Sequence, residues 1–495
     1  MPVPMVSVKS KVFHSAFWLF SLRAVQVLGE FARLIILARL LSPADFGLAG
    51  MALLTLATLE IFSEPGLQHA LVRKHETDPD ALSAAWSVSV LRGIGIAAAL
   101  FFAAPWAALL FQSAEAAPLI QACGLVGAIK CFSNIGVVLF EKELDFKKVF
   151  QYQFLSSVLS ILVAIVWACS NPSPWAIIGG FMAGNLTTCI MSYRVSSFRP
   201  VFKLHREKLA SLWSFGKWML GSNILLFAIT QSDQLVVATL LGSTALGYYQ
   251  IALKIAGLPQ SEFSHLISRI SFPSYSKLQH DLERLSNAFA RVLGLGLVVC
   301  LPLTSLIVLL AEDFVLLFLG ERWLNLVPPL KILAFCGLLR ALASPTGALF
   351  MAIGKPAWRT RLQALQLLIL LLLIIPLTNA LSGIAGTALA VLCAGVSVEP
   401  AALVIAFRLT RTSLKRIVKP VLLALSIALV FIFIKQLVLI AEIESGLCAF
   451  AATVLLCGAV EAWVLYHFVV KPEFPGLQLF KQQVDGSQSP ENSVR

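Results

Sequence analysis

The sequence predicts an all-α polytopic membrane protein. Three observations carry that reading. The 495-residue chain is 58% hydrophobic and only 13% charged, where a soluble domain carries roughly a quarter charged residues. Its apolar residues fall in successive runs of the length, about 20 residues, that spans a bilayer as a helix. Its Lys and Arg collect on alternate connections between those runs, as the positive-inside pattern requires. A transmembrane β-barrel would show alternating segments of about 10 residues, and the sequence has none.

The runs place fourteen helices at 14–40, 44–64, 82–110, 117–140, 149–170, 174–192, 212–240, 244–268, 286–310, 326–350, 361–379, 383–407, 417–436 and 446–469. Lys9 and Lys11 precede the first run, and no small-residue cleavage site follows it, so it reads as a retained span. With odd-numbered spans running outward, the inner connections hold clusters such as Arg73, Lys74, Lys142, Lys147, Lys148, Arg199, Lys203, Arg206, Arg408, Arg411, Lys415 and Arg416. The outer set holds only Arg39, Arg322 and Lys435. One missing span would scramble this alternation, so both termini are expected in the cytoplasm. Between spans, 276–289 has Leu278, Leu282, Leu285 and Phe289 at helical spacing and reads as an amphipathic helix. Segment 199–213 joins spans six and seven. The last twenty residues are polar and expected to be disordered.

The chain repeats itself at an offset of 200 residues. "ARLLSPADFGL" (38–48) is matched by "ATLLGSTALGY" (238–248), with identities at Ala38/Ala238, Leu40/Leu240, Leu41/Leu241, Gly47/Gly247, Ala52/Ala252 and Leu53/Leu253. Each copy falls at an outer turn between an odd and an even span, and six spans separate them. An even separation makes a parallel repeat of two six-helix lobes, related by an axis along the membrane normal. The lobes are 1–198 and 199–410. Residues 411–475 form an extra C-terminal helix pair, and 476–495 a cytoplasmic tail.

Charges inside a span cost about 2.5–3.5 kcal/mol at helix centre and usually face a cavity or a partner. Span one carries Arg23, Gln26, Glu30 and Arg33 at spacings of 3, 4 and 3, on one helix face. That stripe reads as the lining of a water-filled cavity. A Glu30–Arg33 pair within the helix is the competing reading, and it leaves Arg23 and Gln26 unexplained. Span seven carries Asn223, Thr230, Gln231, Asp233 and Gln234, and Asp233 is the repeat equivalent of Arg33. The two are expected to pair across the lobes in one state and separate in another. Asp233 and Glu30 are also candidates for binding a coupling cation, with a structural pair as the alternative. Lys254 of span eight is a candidate anion contact, above a break at Pro259. Glu60 belongs to the gating or coupling candidates, and Arg340 falls mid-span. Arg92, Lys130, Lys217, Lys331, Glu399 and Glu461 read as charges that snorkel from span ends.

Other chemistry is unsupported by motif. The nine Cys are scattered, without C-x-x-C or a Cys/His cluster. There is no Walker A sequence and no H-E-x-x-H. No catalytic residue, metal site or cofactor is expected, and nucleic acid is not an expected partner.

Several stretches resemble a known family. "ILARLLSPADFGLAGMAL" followed by "FSEPGLQHALVRK" resembles the N-terminal signature of bacterial polysaccharide exporters, the Wzx-type flippases of the multidrug/oligosaccharidyl-lipid/polysaccharide (MOP) superfamily. "SDQLVVATLLGSTALGYYQIALKIAGLP" is similar to that family's seventh and eighth spans, and "SFPSYSKLQHDLERLSNAF" to its segment before span nine. The resemblance covers about 14–410. It implies a MATE-like, V-shaped pair of lobes with a cavity between them. It also implies flipping of a polyprenyl-pyrophosphate-linked oligosaccharide to the outer leaflet of a bacterial inner membrane, by alternating access driven by an ion gradient or the membrane potential. The product would feed lipopolysaccharide or exopolysaccharide biosynthesis, and membrane lipids and polysaccharide polymerase or chain-length machinery would be partners. By the same resemblance, Arg23, Arg33 and Lys254 would hold the pyrophosphate and sugar acids, since a guanidinium in a low-dielectric cavity is a strong bidentate anion ligand.

Three other readings compete. A cation-coupled small-molecule or drug antiporter of the same superfamily usually has twelve spans, fewer than here. A membrane-embedded glycan polymerase or ligase usually presents a large outer loop, and none is present. A scaffold for envelope assembly would need no row of cavity-facing charges.

Overall fold

The computed structural model describes residues 5–63, 79–142, 146–203, 206–381, 383–441 and 446–467. The sequence-predicted tail 476–495 and the pair Arg73 and Lys74 lie outside them. Among the described residues the chain is helical with no strand. Eleven helices there are long and apolar enough to cross a membrane. Contacts divide the chain into two compact units, 1–250 and 251–495.

The first unit opens with α1 (Met5–Leu40), α2 (Pro43–Ser63), α3 (Pro79–Leu110) and α4 (Ala116–Cys131). A 3-10 turn (Ile135–Val137) leads into α5 (Val138–Lys142), α6 (Phe146–Ser170) and α7 (Trp175–Val195). The unit ends with α8 (Arg206–Leu240) and the start of α9 (Gly242–Ala256). The helix expected over 117–140 therefore stops at Cys131. Asn134 explains the stop: its Oδ1 accepts from the Gly136 N–H at 2.8 Å, capping a new turn in place of the old helix.

Small residues bring the helices together, since lipid offers no hydrophobic drive between them. α6 packs on α7 and on α1, and α3 packs on α4. At the α6–α7 crossing an added Cβ on Gly180 would lie 2.6 Å from Ala164 Cβ, and one on Gly184 would lie 2.9 Å from Ser160 Cβ. At the α3–α4 crossing an added Cβ on Gly93 would lie 2.5 Å from Cys131 Cβ. Leu37, Leu41, Ala164, Ala168 and Ala176 form an apolar core beside these crossings.

The repeated corner is a helix start in both copies. Ser42 is held by Asp45: its N–H and Oγ donate to Asp45 Oδ2 at 2.9 and 2.6 Å, and the Asp45 N–H donates back to Ser42 Oγ at 3.2 Å. This is a reciprocal cap with Pro43 in the first turn. The two corners also pack on each other. A Cβ on Gly47 would overlap the Ser243 carbonyl, and a Cβ on Gly247 would overlap the Pro43 carbonyl. A Cβ on Gly50 would overlap the side-chain amide of Gln250.

The second unit holds the rest of α9, then α10 (Leu258–Leu278), α11 (Leu282–Phe314) and α12 (Val327–Ala352). It continues with α13 (Ala357–Ala380), α14 (Ile384–Thr410), α15 (Lys415–Ile440) and α16 (Gly446–Leu465). The helix expected over 244–268 is interrupted at Gly257, with Pro259 in the first turn of α10, as the missing proline N–H requires. The amphipathic segment 276–289 is split between α10 and α11. Its apolar positions are used: Leu285 and Phe289 are fully buried with Tyr275, Leu349, Phe350 and Val398. α13 and α12 both pack on α14, and the α15–α16 hairpin packs on α11 through Val298, Ile427, Phe431, Cys457 and Val464. Lys435 Nζ reaches Asp313 Oδ2 at 2.9 Å and the Leu309 carbonyl at 2.7 Å.

Candidate functional site

A polar cavity of about 670 Å³ lies inside the first unit. Seven helices and the 3-10 turn line it. α1 contributes Gln26. α3 contributes Trp86, Ser89 and Arg92. The end of α4 and the bend after it contribute Lys130, Cys131, Ser133, Asn134 and Ile135. Val137 and Val138 come from the capped turn and α5. α6 contributes Tyr152, Gln153, Ser156 and Ser157, α7 contributes Thr188 and Ser192, and α8 contributes Asn223.

The bend after α4 forms one wall, and hydrogen bonds fix it. The Asn134 backbone N–H donates to Ser192 Oγ at 2.8 Å, and Asn134 Nδ2 donates to the Phe198 carbonyl at 2.7 Å. Tyr193 OH and Trp86 Nε1 both donate to the Phe132 carbonyl, at 2.9 and 3.4 Å. Asn134 is fully buried, so each of these bonds removes a desolvation cost as well as ordering the bend.

The opposite wall is a hydroxyl and amide network. Gln26 Nε2 donates to Gln153 Oε1 at 3.4 Å, and Gln153 Nε2 donates to Tyr152 OH at 3.1 Å. Thr188 Oγ1 donates to Ser156 Oγ at 2.7 Å, and Ser156 Oγ donates to the Gly184 carbonyl at 2.7 Å. Arg92 Nη2 lies 3.6 Å from Cys131 Sγ. Lys130 pairs with Glu60 of α2 at 2.9 Å. Lys130 is more than half exposed, so the pair positions the ammonium and contributes little to stability. The arrangement offers many neutral donors and acceptors, two aromatic faces and two cations. That chemistry suits a hydroxyl-rich ligand that carries negative charge.

The sequence-predicted residues fall in several places. Gln26 lines the cavity. Glu60 reaches it through Lys130. Arg33, from the same stripe, turns to α6 and donates from Nη1 to Ser160 Oγ at 3.3 Å. Arg23 is half-buried and Glu30 is exposed, and neither is among the lining residues. Asp233 is buried at 2% exposure. Its Oδ2 accepts from Tyr249 OH at 3.0 Å and its Oδ1 from the Gln234 N–H at 2.8 Å. A glutamine chain runs beside it: Gln250 donates to Gln234 at 2.9 Å, and Gln234 donates to Gln231 at 2.6 Å. Lys254, which is exposed, and Arg340, which is half-buried, belong to the second unit.

Sequence reasoning passed over Arg92 and Lys130, which read as snorkelling charges, and over Trp86, Tyr152 and Gln153. The available signal was their sharing of helix ends with Ser89, Ser133, Ser156 and Ser157. Such hydroxyls are also ordinary packing residues in membrane helices.

Residues 36–328 match the model of a family described as polysaccharide biosynthesis protein. The chain is 25% identical to the lipopolysaccharide biosynthesis protein WzxC of Escherichia coli K12 over 350 residues, 70% of this chain and 71% of that one. It is 29% identical to the succinoglycan biosynthesis transport protein ExoT of Rhizobium meliloti over 311 residues, 62% of each chain. Among solved structures, the lipid II flippase MurJ in an inward closed conformation superposes with a TM-score of 0.71. That match has 16% identity and covers 93% of this chain and all of that one. At such identity the match speaks for the fold.

Proposed function

The chain belongs to the polysaccharide biosynthesis protein family, and from that membership we propose that it flips a polyprenyl-pyrophosphate-linked oligosaccharide repeat unit across the membrane for cell-surface polysaccharide synthesis. It is a membrane transporter and not an enzyme. WzxC and ExoT are named for polysaccharide biosynthesis and its transport step.

The observation that carries the reading is the polar cavity within membrane-spanning helices. A diffusing glycan would lose its water hydrogen bonds in hydrocarbon at several kcal/mol per group. The walls of Gln26, Ser89, Asn134, Gln153, Ser156, Thr188 and Asn223 replace them, while Arg92 and Lys130 supply positive charge for phosphate or sugar acid. Arg23, Arg33, Lys254 and Arg340 supply further cations along the path, with Glu30, Glu60 and Asp233 as gating or coupling groups.

The finer architecture belongs to the same proposal. Two lobes, 1–198 and 199–410, rock against each other, and 411–475 is an added helix pair. The reciprocal packing of the corners at Gly47 and Gly247 supports a repeat at that offset. The protein sits in a bacterial inner membrane with both termini cytoplasmic, which the Lys and Arg asymmetry supports. Polymerase and chain-length machinery act downstream.

Deletion of the chain tests the function. The lipid-linked repeat unit should accumulate in the inner leaflet and surface polysaccharide should be lost. A repeat unit that still reaches the outer leaflet would overturn the reading. Sensitivity to cationic drugs with normal glycan export would favour the antiporter.

A further inference from the structure

The second unit contains a charge cluster around the buried Glu399, which reads in sequence as a snorkelling charge, separate from the mid-span Arg340. Glu399 lies on α14, past its midpoint, and is 4% exposed. Arg359 of α13 approaches its Oε2 with Nη1 at 3.7 Å, beyond hydrogen-bond distance. Glu399 Oε2 is buried and receives no hydrogen bond. Arg340 of α12 adds a second, weaker electrostatic attraction on the carboxylate. Three helices that pack on one another therefore each bring one charge to a common point.

A purely structural ion pair does not explain this geometry. A buried pair repays its desolvation only with close contact and further hydrogen bonds, and Glu399 has neither. The turn that carries it is also loosened. Pro400 follows directly and cannot donate to the carbonyl one turn back. Arg359 is a third exposed, so its guanidinium can exchange the carboxylate for water.

The carboxyl has two arrangements open to it. Ionised, it is held by Arg359 and Arg340 against the cost of burial. Neutral, it suits a buried position next to Val398 and the apolar cluster that Val398 belongs to. The charged groups acting on the carboxyl are Arg359 from α13 and Arg340 from α12, while Tyr275 of α10 and Phe289 of α11 belong to the buried cluster that holds the neighbouring Val398. A metal cation is disfavoured here, because two guanidiniums repel it and, among the described residues, no group of three His, Cys, Asp or Glu that could hold one is found. A proton needs only the unpartnered oxygen.

We propose that Glu399 is a proton site: its carboxylate holds Arg359 in one state, and in the other it carries a proton on Oε2 and Arg359 is released to water. The proton comes from water on the side that Arg359 reaches and returns when the ion pair re-forms. The proposal rests on the transport reading for its purpose, since proton uptake would bias the second unit between two arrangements during flipping.

The test is infrared difference spectroscopy on the full chain in phosphatidylcholine vesicles while pH is stepped. Among the protonated-carboxyl bands that appear on acidification, one should be missing in E399Q. R359Q should raise its midpoint by about one pH unit or more, tenfold in proton affinity. E399D keeps a carboxyl and should keep the band, which separates loss of the site from loss of the fold. Exchange of potassium for sodium should leave the midpoint in place. An E399Q spectrum identical to the parent's, or a midpoint that moves with sodium, would overturn the proposal. So would tight binding of inorganic pyrophosphate that R359Q abolishes with no carboxyl titration. Deletion reads glycan location and not protonation, so loss of one result leaves the other standing.

Discussion

Gly47 of α2 meets the backbone carbonyl of Ser243 so closely that a β-carbon has no room. The relation is reciprocal, because Gly247 meets the carbonyl of Pro43. Residue pairs separated by the same 200-residue offset thus exchange roles across the crossing. Backbone carbonyls cannot swing aside as side chains do, so the closeness depends on glycine at both positions.

Gly47→Ala and Gly247→Ala should each therefore cost about 2–3 kcal/mol through overpacking, read by denaturant-titrated unfolding in detergent. Gly95→Ala, where an added methyl meets nothing within 4 Å, should stay within about 0.5 kcal/mol of the parent. Equal effects at all three positions would show that the corner is not tightly packed.

Tyr249→Phe should destabilise the protein by about 1–3 kcal/mol, because it strips a hydroxyl donor from a buried carboxylate. Tyr249→Phe combined with Asp233→Asn should recover part of that loss, since a neutral amide costs less to bury. A double-mutant cycle on unfolding free energies checks the coupling.

Asn134→Ala should cost about 2–4 kcal/mol. It removes the acceptor for the Gly136 N–H and the donor to the Phe198 carbonyl, both inside the protein. It should also let the bend after α4 move, so that a thiol probe reaches Cys131 faster. Unchanged labelling would mean that other contacts hold the bend.

The helical membrane class is legible in the sequence because a bilayer demands apolar runs of one length. The close packing at 38–48 and 238–248 is legible through Gly47 and Gly247. Two helices differ from their apolar runs for local reasons: the cap at Asn134 ends α4 early, and Gly257 with Pro259 divides the eighth run. The site is less legible. The stripe Arg23, Gln26, Glu30 and Arg33 shares a face, yet a helix face touches several neighbours. Gln26 meets the cavity, whereas Arg33 meets Ser160. Arg92, Lys130 and Glu399 were indistinguishable from snorkelling charges, because a linear sequence does not say which neighbouring helix stands opposite.

Arg92→Ala should slow export tenfold or more, about 1.4 kcal/mol of barrier, with unfolding free energy within about 1 kcal/mol of the parent. Lys130→Ala should have a smaller effect, because its partner Glu60 already offsets its charge. Radiolabelled repeat units chased into polymer give both rates.

The most direct test is the leaflet position of the lipid-linked repeat unit, read by accessibility to an impermeant glycosidase in spheroplasts. Cells with the intact chain should expose the unit, cells without it should not, and cells with Arg92→Ala should expose it slowly. Full exposure in cells without the chain would contradict the account.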